Sequence, residues 1–194
     1  MHPIQCVCGA VRGQIEGVGV HNRLICYCTD CRAFAHFLGR GREVLDAHGG
    51  TEIVQVAQAR LRFLQGEERL SAVRLSEKGI IRWYAACCKT PIGNIPADPK
   101  VSVIGLIHCC LDAARINEDF GNNVAVVHAE TALGNSKPKR RGLLGVVART
   151  LWIVYTQLIS RHYKKSSLFN ESGSPRIAPK ILSAEELAKL KCAV

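Results

Sequence analysis

The stretch "ICYCTDCRAF" places three cysteines within six positions, at Cys26, Cys28 and Cys31. In C-x-C the two side chains lie on the same side of an extended segment, because a strand repeats every two residues. C-x-x-C achieves the same around a tight turn. One ion can therefore take all three sulfurs with little distortion of the chain, and thiolates at chelate spacing suit tetrahedral zinc. Three protein ligands leave a fourth position open, which is the arrangement of a catalytic rather than a structural ion. A second set is split along the chain. "QCVCG" supplies Cys6 and Cys8, half a site, and "AACCKTPIG" supplies Cys87 and Cys88 as the obvious other half. Adjacent strand residues point to opposite faces, so Cys87 and Cys88 can share an ion only if the chain turns sharply between them. The expected cofactor is Zn2+, one or two ions per chain.

The residues around these cysteines carry less information. His36, just past the three-cysteine cluster, and His108, just before Cys109 and Cys110, either complete the open zinc position or simply satisfy hydrogen bonds. Asp30 sits inside the chelate loop and reads as an acceptor for backbone N–H groups in a turn. Arg32 either attracts an anionic substrate carboxylate or offsets thiolate charge. Cys109 and Cys110 follow an apolar strand and read as core, and Cys192 stands alone near the end. No convincing general base stands out.

The elements that must position these side chains are short. The chain has 194 residues, 47% hydrophobic and 22% charged, which is enough for one packed core with an appendage. The ten cysteines do not come with a basic, apolar and small-residue leader, so a secreted disulfide scaffold is not indicated. The expectation is a reducing, cytoplasmic setting, where clustered cysteines mean metal. Up to residue 135, β-segments are broken by Gly, Asn, Asp and Pro. They run at Val11–Glu16, Arg23–Cys26, Glu52–Val56, Leu61–Leu64, Ala72–Leu75, Ile80–Ala85, Ile92–Ile95, Val101–Ile107 and Val124–Ala129. Alternation in "IIRWYA" and "VSVIGLI" supports them. Many short strands with frequent turns argue for an antiparallel architecture, with a helical turn over Thr29–Phe37.

"CVCGAVRG", "CYCTDCRAF" and "RWYAACCKTPIGN", in that order, resemble the glutathione-dependent formaldehyde-activating enzyme family over roughly residues 4–130. The resemblance implies a mainly β, Mss4-like antiparallel domain with two zinc sites. One is structural, on the first C-x-C and a late C-x-x-C; the other, on C-x-C-x-x-C, is linked to glutathione and formaldehyde. Cys6, Cys8, Cys26, Cys28 and Cys31 match position by position. Tyr27 replaces the usual His, Ala85 falls where the first late Cys belongs, Cys88 matches the second, and Lys89 replaces the Gly. Cys87 is then the substitute ligand.

From about residue 136 the character changes. "GNSKPKRR" reads as a linker, and "GLLGVVARTLWIVYTQLISRHY" has a helical period through Leu144, Val147, Leu151, Val154 and Leu158. Its apolar run of about 19 residues approaches the length of a membrane span, but Arg149 near the middle argues against one. Eight of the ten net positive charges lie between Lys137 and Lys165, where there is no Asp or Glu. "SAEELAKL" reads as a helix capped by Ser183 and Glu186. The added helix is expected to pack on the β-domain or on a second copy as a homodimer. An anionic membrane surface or nucleic acid phosphates are further partners for its basic flanks. Residues 1–135 thus form a zinc-binding β domain and 136–194 a basic linker with a helical extension. Two functions are compatible with this reading. One is a carbon–sulfur lyase that adds a small aldehyde to glutathione or a similar thiol. The other is a zinc-stabilised binding module that works through the basic helix.

Overall fold

The computed structural model describes residues 1–192. Among the described residues, eleven strands form two sheets. β1 (His2–Gln5), β2 (Arg12–Ile15) and β5 (Leu61–Gln65) make the smaller one, in the order β1-β2-β5. The larger sheet contains β3 (Asn22–Cys26), β4 (Thr51–Ala57), β6 (Leu70–Arg74), β7 (Ile81–Ala85), β8 (Pro91–Ile95), β9 (Val103–Ile107), β10 (Ala125–Val127) and β11 (Lys180–Ile181). Its order is β10-β3-β4-β9-β8-β7-β6-β11. The helices are α1 (Thr29–Phe37), α2 (Gly41–Val44), α3 (Ile116–Phe120), α4 (Leu143–Ile159) and α5 (Ala184–Cys192).

The protein is mainly β with C-terminal helices, as the segmentation predicts, and α1 falls on the predicted Thr29–Phe37. The ladder is not wholly antiparallel: β10 runs parallel to β3, and β11 parallel to β6. Both edge strands arrive by long connections, and a long connection is what a parallel pairing requires. A turn-by-turn reading of neighbouring segments sees only hairpins. β1 and β11 carry no alternation long enough to be read from sequence.

The large sheet is covered on both faces. Val54, Val56, Trp83, Ile104 and Leu106 pack with Ile4 and Ile15 of the small sheet and with Val11 just before β2 in the main core. On the opposite face, Phe34 of α1 and Leu38, the residue that ends it, pack on Val73, Tyr84 and Ile107. Further along that face, Val146 of α4 meets Leu24 and Ile53, and Ile153 meets Ala57 and Val103. Double coverage explains why all five residues of β7 are buried. The C-terminal segment belongs to the same body. Leu168 and Phe169 join the main core, β11 extends the large sheet, and α5 packs beside α1 through Leu187 and Leu190. The expected capping box closes α5: Ser183 Oγ accepts the Glu186 N–H at 3.1 Å, and Glu186 Oε2 accepts the Ser183 N–H at 2.9 Å.

α4 is held differently from what its sequence pattern implies. Leu144, Val147, Leu151 and Leu158, which set the helical period, are exposed. The face turned to the sheet carries only Val146 and Ile153 as fully buried apolar anchors, each worth about 1.5–3 kcal/mol. Val154 packs there partly buried, and the rest of the contact is polar. Arg149 Nε donates to Asn22 Oδ1 at 2.6 Å, Thr150 Oγ1 donates to Gln55 Oε1 at 3.0 Å, and Asn22 Nδ2 donates to the Val146 carbonyl at 3.2 Å. Asn22 and Gln55 lie opposite one another in the β3–β4 register, so the sheet offers a polar patch and the polar stripe of the helix docks there.

Candidate metal centres and the cleft between α1 and α4

All seven cysteines predicted to bind metal fall into two groups. In each group the ligand atoms lie within 4.8 Å of one another: Cys6, Cys8, Cys87 and Cys88 in one, Cys26, Cys28 and Cys31 in the other. Each group could hold a metal ion.

The four-cysteine group joins two loops. Cys6 and Cys8 follow β1 in a knuckle in which the Gly9 N–H donates to the Cys6 carbonyl at 2.9 Å, and Gly9 has a φ of +74° that a side chain would strain. Cys87 and Cys88 follow β7 in a sharp turn, where the Lys89 N–H donates to the Ala85 carbonyl at 2.9 Å. Lys89 has a φ of +57°. It therefore adopts the left-handed conformation for which glycine is the usual choice. This turn lets neighbouring residues aim at one point. The sulfur separations are 3.5 Å for Cys6–Cys8, 3.3 Å for Cys8–Cys87, 4.0 Å for Cys6–Cys87 and 3.8 Å for Cys87–Cys88. A tetrahedron with metal–sulfur bonds of about 2.3 Å has edges of about 3.8 Å, so the donor set fits a four-thiolate ion.

Buried Thr90 ties the two loops together. Its Oγ1 accepts the Val7 N–H at 3.1 Å and stands 3.0 Å from Cys88 Sγ, to which its hydroxyl hydrogen is then free to point. Burial pushes the Cys88 thiol up. Hydrogen bonds from Thr90 Oγ1 and from the backbone N–H groups of Cys8 and Thr90 outweigh that and bring it down to about 6. Cys6 Sγ accepts the Val11 N–H at 3.2 Å.

The three-cysteine group lies on the helix-facing side of the large sheet. Asn22, Leu24 and Cys26 alternate onto that buried face of β3. Cys28 is the N-cap residue of α1, and Cys31 sits in its first turn. The loop is clamped through Tyr27. Its carbonyl accepts Arg32 Nη1 at 2.7 Å and Thr131 Oγ1 at 2.9 Å, and its hydroxyl donates to Asp46 Oδ2 at 2.9 Å. Burial and that contact raise the Tyr27 phenol to about 12. The Cys28 thiol is drawn down to about 2, first by hydrogen bonds from Cys26 and Cys31 and then by the Cys31 N–H and the charge of Arg82. Cys28 is thus the first thiolate of the trio, while donation to it drives Cys26 far upward.

Among the described residues no fourth His, Cys, Asp or Glu joins this group. His36 packs at Gly41, and His108 Nε2 lies 3.5 Å from Cys109 Sγ in a separate recess with Glu43 and Asp46. The Cys109 thiol is raised to about 11 by burial, so this His–Cys pair holds no ready thiolate. Cys110 is buried in the main core, as its apolar strand predicts. Asp30 pairs with Lys191 at 3.2 Å rather than capping a turn. Arg32 is spent on the carbonyls of Tyr27 and Thr131.

Cys26, Cys28 and Cys31 open into a cleft of about 590 Å³. α1 contributes Asp30, α4 contributes Leu143 and Val146, and the strands between contribute Leu24, Ile53 and Arg82. Gly105 lines it too; a Cβ there would stand 2.8 Å from Ile53 Cγ2, so this glycine keeps the floor open. Arg82 is the residue sequence reasoning missed. It is 3% exposed, stacked at 5.5 Å over Phe34, and its nearest acceptor is Asn94 Oδ1 at 3.4 Å. Its Nε has no partner among the described residues, and no carboxylate pairs with it there. A buried cation without a carboxylate is costly, and across the cleft its charge helps to draw the Cys28 thiol down. The available signal was a lone Arg in the alternating apolar strand "IRWYA". His128, at a φ of +55° just after β10, lines the same cleft.

Fold and site together define a mainly β protein with two cysteine groups that could hold metal ions. The chain belongs to a family of unknown function, DUF6151, whose profile matches residues 1–135. No curated protein matches it. A solved structure of a Rhodobacter sphaeroides protein is similar at 19% identity and a TM-score of 0.40, over 63% of this chain and 97% of that one. No helix among the described residues is long and apolar enough to cross a membrane.

Proposed function

We propose that the protein is a zinc protein with one structural and one reactive site, and that the reactive site joins a small anionic thiol to a small aldehyde. The observation that carries this reading is the placement of three convergent cysteine sulfurs and one buried arginine without a carboxylate partner in a single cleft. The four-cysteine group has a complete ligand set and leaves no position for substrate, which marks a structural ion. The three-cysteine group leaves one position for the sulfur of an incoming thiol. A zinc ion held there would keep that sulfur as the nucleophilic thiolate.

The chain's own residues supply the rest. Arg82, positioned by Asn94 and Phe34, binds the carboxylate of the thiol compound. Leu24, Ile53, Leu143 and Val146 keep water from the reacting atoms. The sulfur lone pair forms the C–S bond, the carbonyl π pair moves to oxygen, and the proton lost by the thiol ends on that oxygen. Nothing is oxidised. His128 at the cleft is placed to carry the proton. The resemblance of the cysteine motifs to the formaldehyde-activating family supports the same chemistry, with glutathione as one thiol of the required kind.

The test is metal content on protein purified without chelator, followed by thiol titration of the cobalt-loaded protein. Two ions per chain should fall to one in Cys28→Ser. Arg82→Met should keep both ions and lose preference for a mercaptocarboxylate over an uncharged thiol. An ion count untouched by Cys28→Ser would refute the reactive site, and equal affinity of wild type for both thiols would refute the role of Arg82.

A further inference from the structure

α4 is turned inside out. Its polar residues face the sheet, and its solvent face is unbroken apolar surface. Leu144 is 87% exposed, Ile159 65%, Leu151 64%, Trp152 56%, Tyr155 55% and Leu158 45%. At 100° per residue these positions, with Val147 and Ala148, span one side of the helix without a polar interruption. Single exposed leucines need no explanation, but a contiguous stripe of this kind does. Trp152 and Tyr155 stand with ring centroids 6.0 Å apart, and both side chains suit a boundary between water and hydrocarbon.

The charges around the stripe have one sign. Lys137, Lys139, Arg140 and Arg141 precede the helix, Arg161, Lys164 and Lys165 follow it, and all are exposed. No Asp or Glu occurs from Thr131 to Asn170. Among the described residues none of these cations forms a salt bridge, each of the eleven pairs lying elsewhere. A second copy is a poor occupant for the stripe. Whether the two helices pack parallel or antiparallel, both of their ends bring positive charge against positive charge. Nucleic acid would use the cations and leave the apolar stripe in water. An anionic bilayer satisfies both features.

We infer that α4 is an interfacial membrane-binding helix, which lies flat on an anionic lipid surface with its apolar stripe in the headgroup–acyl boundary and its basic flanks on the lipid phosphates. Its 17 residues give a cylinder about 25 Å long, enough for several turns of contact. Leu143 and Val146 of the same helix line the cleft at Cys26, Cys28 and Cys31, so docking sets that cleft beside the lipid surface. The inference does not rest on the metal or on the thiol chemistry.

The test is flotation of the full-length, metal-loaded protein with vesicles of phosphatidylcholine, alone or with about 30% phosphatidylserine, at low salt and at about 0.5 M salt. Quenching by brominated acyl chains serves as a second readout, because Trp152 is exposed and the other tryptophan, Trp83, is buried in the core. Binding should require the anionic lipid, weaken with salt and quench Trp152. Leu151→Glu with Ile159→Glu should abolish it. Lys139→Glu with Arg140→Glu should weaken it roughly 25-fold or more, from about fivefold per basic residue at the surface. All four positions are exposed, and circular dichroism and metal content report whether each variant has folded. Equal binding to neutral and anionic vesicles overturns the inference. So does a wild-type dimer without vesicles that Leu151→Glu dissociates, and so does duplex DNA binding that is unaffected by Leu151→Glu.

Discussion

Replacing Thr90 with Val isolates the tie between the two loops of the four-cysteine group. The two side chains are nearly equal in volume, so the change removes a hydroxyl without opening a cavity. Two contacts go with it: the acceptor for the Val7 N–H at 3.1 Å and the donor to Cys88 Sγ at 3.0 Å. The Val7 N–H is only part-buried, so losing its acceptor costs about 0.5–1.5 kcal/mol, and a hydrogen bond to a charged group is worth about 1.5–3 kcal/mol. Because the two losses share one atom, a combined cost of about 2–4 kcal/mol is expected. Part of it appears as metal affinity, weakened about 10–100-fold as for other groups that hydrogen-bond a ligand. In thermal unfolding, a chain of this length should lose about 4–16 °C at that cost. Chelator competition measures the affinity and calorimetry the midpoint, both at fixed free metal because bound metal itself raises the midpoint. Thr90→Ser restores the hydroxyl and should recover most of both. Unchanged affinity and midpoint in Thr90→Val would refute the reasoning, since they would mean that the two loops are not held through this oxygen.

Two further outcomes follow from contacts elsewhere. His2 Nε2 accepts the Asp112 N–H at 3.1 Å, so its proton sits on Nδ1, 2.7 Å from Asp119 Oδ2. That hydrogen bond, and then Arg115, hold the Asp119 carboxyl below its ordinary value. A folded-state pKa below the unfolded one adds stability above the unfolded value of about 3.9 and loses it as pH falls through the folded value. The stability gap between wild type and Asp119→Asn should therefore be flat above about pH 5 and close on acidification, as followed by urea unfolding across pH. At the C-terminus, Ser183→Ala removes the cap of α5 and should cost about 1 kcal/mol, read as faster amide exchange in α5 with the sheet unaffected. Exchange unchanged in α5 would mean that Leu187 and Leu190 alone hold the helix.

Much of this molecule was legible because its signals are local. A C-x-C at the end of a strand and a C-x-x-C at the start of a helix are chelates wherever the chain goes, since strand period and helix geometry act over a few residues. The nine anticipated strands, α1 and the capping box were readable for the same reason: alternation, β-branched content and a Ser–Glu pair need no knowledge of the rest of the fold. Tertiary structure decided matters that depend on residues far apart in sequence. Only folding brings Cys6 and Cys8 to Cys87 and Cys88, and only the left-handed turn at Lys89 lets two adjacent cysteines point at one site. The parallel edges β10 and β11 depend on chain returning from a distance, for which neighbouring residues carry no signal. Periodicity showed that α4 has two faces but not which of them meets the protein. That choice belonged to Asn22 and Gln55, whose polar groups are buried only if the polar stripe of the helix covers them. Arg82 followed the same logic: its strand position predicts burial, but the cleft it shares with Cys26, Cys28 and Cys31 is assembled from other parts of the chain, and electrostatics acts through space rather than along the sequence.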